Sequence, residues 1–123
     1  MDKNPDKWWI VKPSCSSQGK GIWFTKDYNQ IAFKSNIIVS HYIDNPLLIN
    51  GFKFDLRIYI LVTSINPLVI YIYEEGLARF ATQKFVALGQ DTKSKFAHLT
   101  NFSINKKNIN FVSNEDAQED DKG

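Results

Sequence analysis

Apolar residues recur along the chain in short runs separated by polar stretches, at strand-like rather than helical spacing. Trp8 to Val11 forms one such run and Gly21 to Phe24 another. The Ser- and Gly-rich segment Pro13 to Gly21 lies between them, which predicts a hairpin with a long polar tip. Asp27 to Phe33 predicts a helical turn or two with Asp27 as N-cap. Ile37-Ile38-Val39 predicts a strand, Asn45-Pro46 a turn and Asn50-Gly51 a second turn. From Phe52 to Val62 the alternation is strict. Phe52, Phe54, Leu56, Ile58, Ile60 and Val62 fall on one face, expected to pack on a core, and Lys53, Asp55, Arg57 and Tyr59 fall on the other. Successive residues of one face are about 7 Å apart, so two cations and a carboxylate stand in a row. Asn66-Pro67 turns the chain back into a strand over Leu68 to Tyr73, and Leu77 to Thr82 predicts one more. Gly89 to Lys95 reads as loop, His98 to Ile104 as short and mixed, and the stretch from Ser113 as mobile. No internal repeat is visible. The fold class expected is α+β, mostly antiparallel sheet with little helix.

Composition adds a bound and an asymmetry. The 123 residues suffice for one domain or a piece of a larger one, and seventeen aromatics are enough for a packed core. No apolar run approaches the roughly 20 residues that span a bilayer, and Met1-Asp2-Lys3-Asn4 is unlike a signal peptide, so neither a membrane nor secretion is expected. Cys15 is the lone cysteine, which excludes an internal disulfide and makes a reducing, cytoplasmic setting the expectation. Glu115, Asp116, Glu119, Asp120 and Asp121 crowd the acidic tail 114–123. Residues 1–113 therefore carry fourteen Lys and Arg against eight Asp and Glu. That basic body suits a polyanionic partner such as a nucleotide, a nucleic acid or an acidic protein tail, although an ordinary solvated surface has the same look.

The candidate chemistry concentrates in a few places. Lys12 ends an apolar strand beside a Gly-rich hairpin, where an ammonium can reach a phosphate as a point charge. In Ser16-Ser17-Gln18-Gly19-Lys20-Gly21 the glycines let backbone N–H groups approach an anion. The spacing is neither that of a Walker A loop nor that of a dinucleotide fingerprint, and a plain turn is the more ordinary reading. Lys53, Asp55 and Arg57 are stronger candidates, because the central carboxylate can hold the two cations in place while they reach phosphate oxygens. Glu74 and Glu75 could bind Mg2+ or simply end a strand; Arg79 could grip a carboxylate or pair with Glu75. His41 and His98 lack metal-ligand spacing with Cys15, so no zinc site is expected, and no residue is assigned as a metal ligand.

Taken in order and spacing, six segments are distinctive: Trp9-Ile10-Val11-Lys12-Pro13-Ser14, Gln18-Gly19-Lys20-Gly21-Ile22, Tyr42-Ile43-Asp44-Asn45-Pro46-Leu47-Leu48-Ile49, Lys53-Phe54-Asp55-Leu56-Arg57, Glu75-Gly76-Leu77-Ala78-Arg79-Phe80-Ala81-Thr82 and His98-Leu99-Thr100-Asn101. Together they resemble the tubulin–tyrosine-ligase-like family over nearly the whole chain, and its polyglutamylase branch most. The resemblance implies an ATP-grasp fold, with residues 1–113 as the end of its central lobe and the start of its C-terminal lobe.

It also implies an ATP-dependent ligase. A substrate carboxylate would be phosphorylated by ATP to an acyl phosphate, releasing ADP, and the amine of free glutamate would attack it to form an isopeptide, releasing phosphate. On this likeness Lys12, Gln18 and Gly19 contact nucleotide, with Gln18 also near the substrate protein. Ser40, His41, Tyr42 and Ile43 form the hinge that reads adenine, and Lys53, Phe54 and Asp55 hold phosphates and ribose. Arg57 sits near the transferred phosphate and Arg79 binds the glutamate carboxylate, both as catalytic residues. Thr100 and Asn101 contact ATP; Phe102 and Ser103 lie near the incoming amino acid. The implied partners are ATP, Mg2+, glutamate and the acidic tails of tubulin on microtubules, in the cytoplasm and cytoskeleton, with cilia and basal bodies as candidate places. The sequence departs from the family at Lys20 and His41, where Arg, or Arg or Lys, is usual, and at Phe102, where Tyr is usual. The family's Mg2+ ligands are expected downstream of this chain, which reads as a fragment. Two rival readings remain: a non-catalytic nucleotide- or tubulin-binding remnant, and a nucleic-acid binder. The second is disfavoured because the aromatics sit in apolar runs rather than in an exposed stacking stripe.

Overall fold

In the computed structural model the described residues are 7–31, 36–89 and 94–113. The expectations for 32–33, for 90–93 and for the acidic tail 114–123 lie outside them. The apolar runs become two antiparallel sheets. In the first, β1 (Trp9–Pro13) is central, flanked by β2 (Trp23–Thr25) and β3 (Ile37–His41), with Val11 opposite Trp23 on one side and Val39 on the other. The β1–β2 hairpin expected from the sequence is present. A single 3-10 turn, Tyr28–Gln30, follows β2, and the Asp27 carboxylate accepts from the Asn29 amide at 2.9 Å, capping it as its position predicts.

The second sheet is a long ribbon. A short β4 (Leu48–Ile49) pairs with the start of β5 (Phe52–Ile65), which returns through Asn66-Pro67 into β6 (Leu68–Lys84). The two strands expected at Leu68–Tyr73 and Leu77–Thr82 are thus one strand of 17 residues. The reason is visible at Gly76, which pairs with Ile58: a Cβ there would lie 2.6 Å from the Arg57 carbonyl oxygen. Glycine lets the strand run on where a side chain would break it. At about 3.4 Å per residue β5 is roughly 45 Å long. Its apolar face does not meet a core as expected: Leu56, Ile58, Ile60 and Val62 are all more than half exposed. Among the described residues no layer covers this part of the ribbon, and the register shifts between Phe52 and Phe54, Ile58 and Ile60, and Val62 and Ser64 prevent a single continuous face.

The core lies instead at the base of the ribbon. Ile10, Tyr42, Leu88 and Leu99 form its centre, with Trp8, Ile22, Phe24, Phe85 and Ile104 packed against them. Two one-turn helices, α1 (Lys95–His98) and α2 (Phe102–Asn105), cross this base and close the first sheet onto the second. The mixed stretch expected at His98 to Ile104 is this pair of turns. No helix among the described residues is long and apolar enough to cross a membrane.

Candidate functional site

Asp55 is the hub. The β5–β6 register sets it opposite Arg79, which donates to both carboxylate oxygens, Nε at 2.7 Å and Nη2 at 2.8 Å. The Thr100 hydroxyl, arriving from the α1–α2 link, donates to the same carboxylate at 2.7 Å. Arg57, two residues along β5, and Lys53, two residues back, interact with Asp55 through charge. Burial alone would raise the Asp55 carboxyl. The hydrogen bonds from Arg79 and Thr100, with the charges of Arg79 and Arg57, outweigh it and leave the group below the usual carboxylate range. A depressed folded value means the carboxylate stabilises the fold above its ordinary pKa, with the contribution lost as pH falls through the depressed one. Acid unfolding followed by urea midpoint should therefore show a loss of stability below about pH 4, and Asp55→Asn should flatten that slope. An unchanged slope in the variant would mean that the ion pair carries no folding energy.

Lys53 reaches the other way. Its ammonium lies 4.7 Å above the Tyr42 ring centroid and 3.4 Å from the Tyr42 hydroxyl. Burial lowers its pKa; Asp55 opposes this and the charge of Lys12 adds to it. Lys12 on β1 and Lys53 on β5 thus feel one another, although they belong to different sheets. The Tyr42 hydroxyl also shares a 3.0 Å hydrogen bond with Nδ1 of the fully buried His98. Burial, helped by the charge of Asp44, pushes the Tyr42 phenol well above its ordinary value, so it stays neutral.

The hairpin tip meets the C-terminal turns. Gly19, at φ +74°, sits so close to Asn101 and Ile104 that a Cβ would lie 3.0 Å from Asn101 Oδ1 and collide with Ile104 Cδ1. Beside this contact opens a cavity of about 590 Å3, lined by Gln18, Gly19 and Ser103 and by four lysines, Lys20, Lys95, Lys106 and Lys107. Phe102 is half exposed, edge-on to Phe111, with the Lys106 ammonium 5.3 Å from its ring centroid. In the segment expected to be the hinge, Ser40 pairs with Ile10, and the His41 ring lies tilted against that of Trp9 at 4.0 Å between ring centroids. The Tyr42 amide is committed to the Trp8 carbonyl at 2.8 Å, whereas Ile43 is exposed. Lys7, Trp8, His41, Tyr42 and Asp44 line a second cavity of about 280 Å3 there. Phe54 stacks across the ribbon on Phe80.

The structure thus brings Lys53, Asp55, Arg57, Arg79 and Thr100 together, and Gln18, Gly19, Asn101 and Ser103 together. Arg79 pairs with Asp55 rather than Glu75. Glu74 and Glu75 form no metal cluster, and no group of three His, Cys, Asp or Glu that could hold a metal ion occurs among the described residues. Sequence reasoning missed two buried polar residues. The spacing of His98 speaks only against a zinc site. Asn105, 2% exposed, accepts from the Thr82 amide and hydroxyl and donates to the Leu99 and Asn101 carbonyls. A polar residue closing an apolar turn was its one signal.

Residues 1–123 match the Tubulin-tyrosine ligase family. The chain is 52% identical over 122 residues to the tubulin polyglutamylase TTLL5 of Homo sapiens, a match that covers 99% of this chain and 9% of the human protein. It is 47% identical to the tubulin polyglutamylase ttll-5 of Caenorhabditis elegans, over 93% of this chain and 16% of the relative. To the tubulin monoglutamylase TTLL4 of Mus musculus it is 45% identical, over 88% of this chain and 9% of the relative. The chain therefore spans about a tenth to a sixth of the length of these relatives.

Proposed function

The chain belongs to the tubulin-tyrosine ligase family, and from that premise we propose that residues 1–113 are part of the ATP-grasp catalytic core of a longer ligase that joins glutamate to tubulin. The observation that carries the reading is the gathering of Lys53, Arg57 and Arg79 around one carboxylate, Asp55, with Lys12 close enough to Lys53 to act on it through charge. Four cations against one anion leave a surplus that fits a polyphosphate. The depressed pKa of Lys53 is what an ammonium shows when it is desolvated without a full complement of anions.

ATP supplies the phosphoryl group that activates the acceptor carboxylate. The chain's own residues position and neutralise. Lys12 and Lys53 bind phosphate oxygens as point charges, and Arg57 offsets charge at the transferred group. Two of the five N–H donors of Arg79 are held by Asp55, and the remaining three can meet the carboxylate of the incoming glutamate. Asp55 thereby orients the arginine, and Thr100 fixes Asp55. The hinge from Ser40 to Ile43 takes the adenine. Gln18, Ser103 and the four lysines of the larger cavity suit an acidic peptide such as a tubulin tail. Mg2+ finds no cage among the described residues, so no step is routed through it.

The deciding experiment incubates the complete ligase with microtubules, ATP and labelled glutamate or labelled glycine. Label from glutamate, with ADP formed in equal amount, is the expected result, and its rate should fall as salt screens the lysine-lined cavity. Glycine incorporation alone would place the protein among a different set of ligases. No incorporation, with ATP still bound, would favour the binding-remnant reading.

A further inference from the structure

Three elements distant in the chain meet at the Tyr42 hydroxyl: Lys53 on β5, Tyr42 just past β3, and His98 at the end of α1. We infer that Tyr42 and His98 are positioning residues for Lys53: a hydrogen-bonded relay, buried from the imidazole to the phenol, holds the lysine ammonium in place for the nucleotide phosphates. The inference rests on the ligase reading for the role of Lys53, but the relay itself stands on geometry.

The direction of the relay follows from donor counting. An ammonium can only donate, so Lys53 gives a hydrogen to the Tyr42 oxygen. The phenol has one hydrogen, and its other polar neighbour is His98 Nδ1 at 3.0 Å. An Nδ1 that accepts this hydrogen, in an imidazole protonated at Nε2, carries the line on from Lys53 through the phenol. Packing fixes the imidazole in this orientation. Phe24 and Phe85 meet it edge-on, each at 5.5 Å between ring centroids, and the residue is 1% exposed. The phenol is held by its own ring, edge-on to Phe24 at 5.0 Å, and by its amide on the Trp8 carbonyl. A lysine has four rotatable bonds and loses much freedom when fixed. Here the ring face and hydroxyl of Tyr42 define its end point before any anion arrives. A phenylalanine at 42 would keep the ring contact and lose the hydroxyl. A phenylalanine at 98 would keep the packing and leave the hydroxyl without that acceptor.

The test uses the complete ligase and four variants: Tyr42→Phe, His98→Phe, His98→Asn and the double variant Tyr42→Phe/His98→Phe. Each single phenylalanine should raise the ATP KM about five- to tenfold, the worth of one ordinary hydrogen bond, with the glutamate KM and kcat changed less than about twofold. The double variant should be no worse than either single, because the two residues act through one path. His98→Asn places an amide oxygen where Nδ1 stood and should restore most of the ATP affinity. General damage to the core would instead raise both KM values and lower kcat, and that result overturns the inference. So does additive loss in the double variant, or an asparagine as poor as phenylalanine. ATP affinity is also read by calorimetry without tubulin or glutamate. A wild type that binds ATP but ligates nothing removes the ligase reading and leaves the relay to be judged on affinity. A wild type that binds no ATP overturns both. If His98→Phe fails to fold, Tyr42→Phe, lighter by a single oxygen, decides alone, and unchanged ATP affinity overturns the inference.

Discussion

Asn105→Ala is expected to destabilise the protein by about 3–4 kcal/mol, read as a lowered urea midpoint without a change in slope. The side chain makes four hydrogen bonds, and only the one to the Asn101 carbonyl, which also accepts from the Ile104 and Asn105 amides, has a substitute. Its oxygen accepts from the Thr82 amide at 2.9 Å and from the Thr82 hydroxyl at 2.8 Å, both on β6. Its nitrogen donates to the Leu99 carbonyl at 2.8 Å and to the Asn101 carbonyl at 3.1 Å. Alanine strands a strand amide and a buried carbonyl together, each costing about 1–3 kcal/mol when left without a partner. Asn105→Asp keeps the acceptor but turns a carboxylate oxygen toward two carbonyls, so it should be no better than alanine. If aspartate rescued stability, the contacts with Leu99 and Asn101 would have to be unimportant. The loss should also reach the site, because Asn105 ties the α1–α2 segment to β6, and that segment supplies Thr100 to Asp55 and Ser103 to the lysine-lined cavity.

Local pattern made the strands legible. Trp8 to Val11 and Phe24 had to pair across a polar tip, and Asp27 had to cap what followed, because these are decisions taken over a few residues. The Phe52 to Val62 alternation correctly separated Lys53, Asp55 and Arg57 from the phenylalanines. It could not tell that Leu56, Ile58, Ile60 and Val62 would stand exposed, since alternation names a face and not what covers it. The Asp55–Arg79 pair was hidden for a related reason. The two residues are 24 apart, and between them and the turn the register shifts twice: β5 has one extra residue between Val62 and Ser64, and β6 two extra between Ile58 and Ile60. Counting back from the Asn66-Pro67 turn therefore gives the wrong partner. His98 and Asn105 were illegible as hubs because their partners come from other elements. The Tyr42–His98 bond spans 56 positions, and nothing near His98 in the chain announces it.

Arg57→Ala should leave folding almost untouched and slow ligation by about thirty- to a thousandfold, a loss of about 2–4 kcal/mol of transition-state stabilisation if it acts as one oxyanion donor does. The separation follows from where the residue sits. Arg57 is exposed on β5 and its effect on Asp55 is through charge, so truncation opens no cavity and strands no buried group. Its stability change should stay within about 0.5 kcal/mol. Asp55 keeps its bonds from Arg79 and Thr100 in the variant, so the hub persists while one cation leaves. ATP affinity should fall only slightly, because Lys12 and Lys53 remain, and the deficit should appear in kcat. Arg57→Lys should recover part of the rate, since a point charge replaces the cation but not its planar fork. Full glutamate incorporation by a folded Arg57→Ala ligase would remove Arg57 from the chemistry. The cationic row on β5 would then be a binding surface for the triphosphate, with the charge of the transferred group met elsewhere.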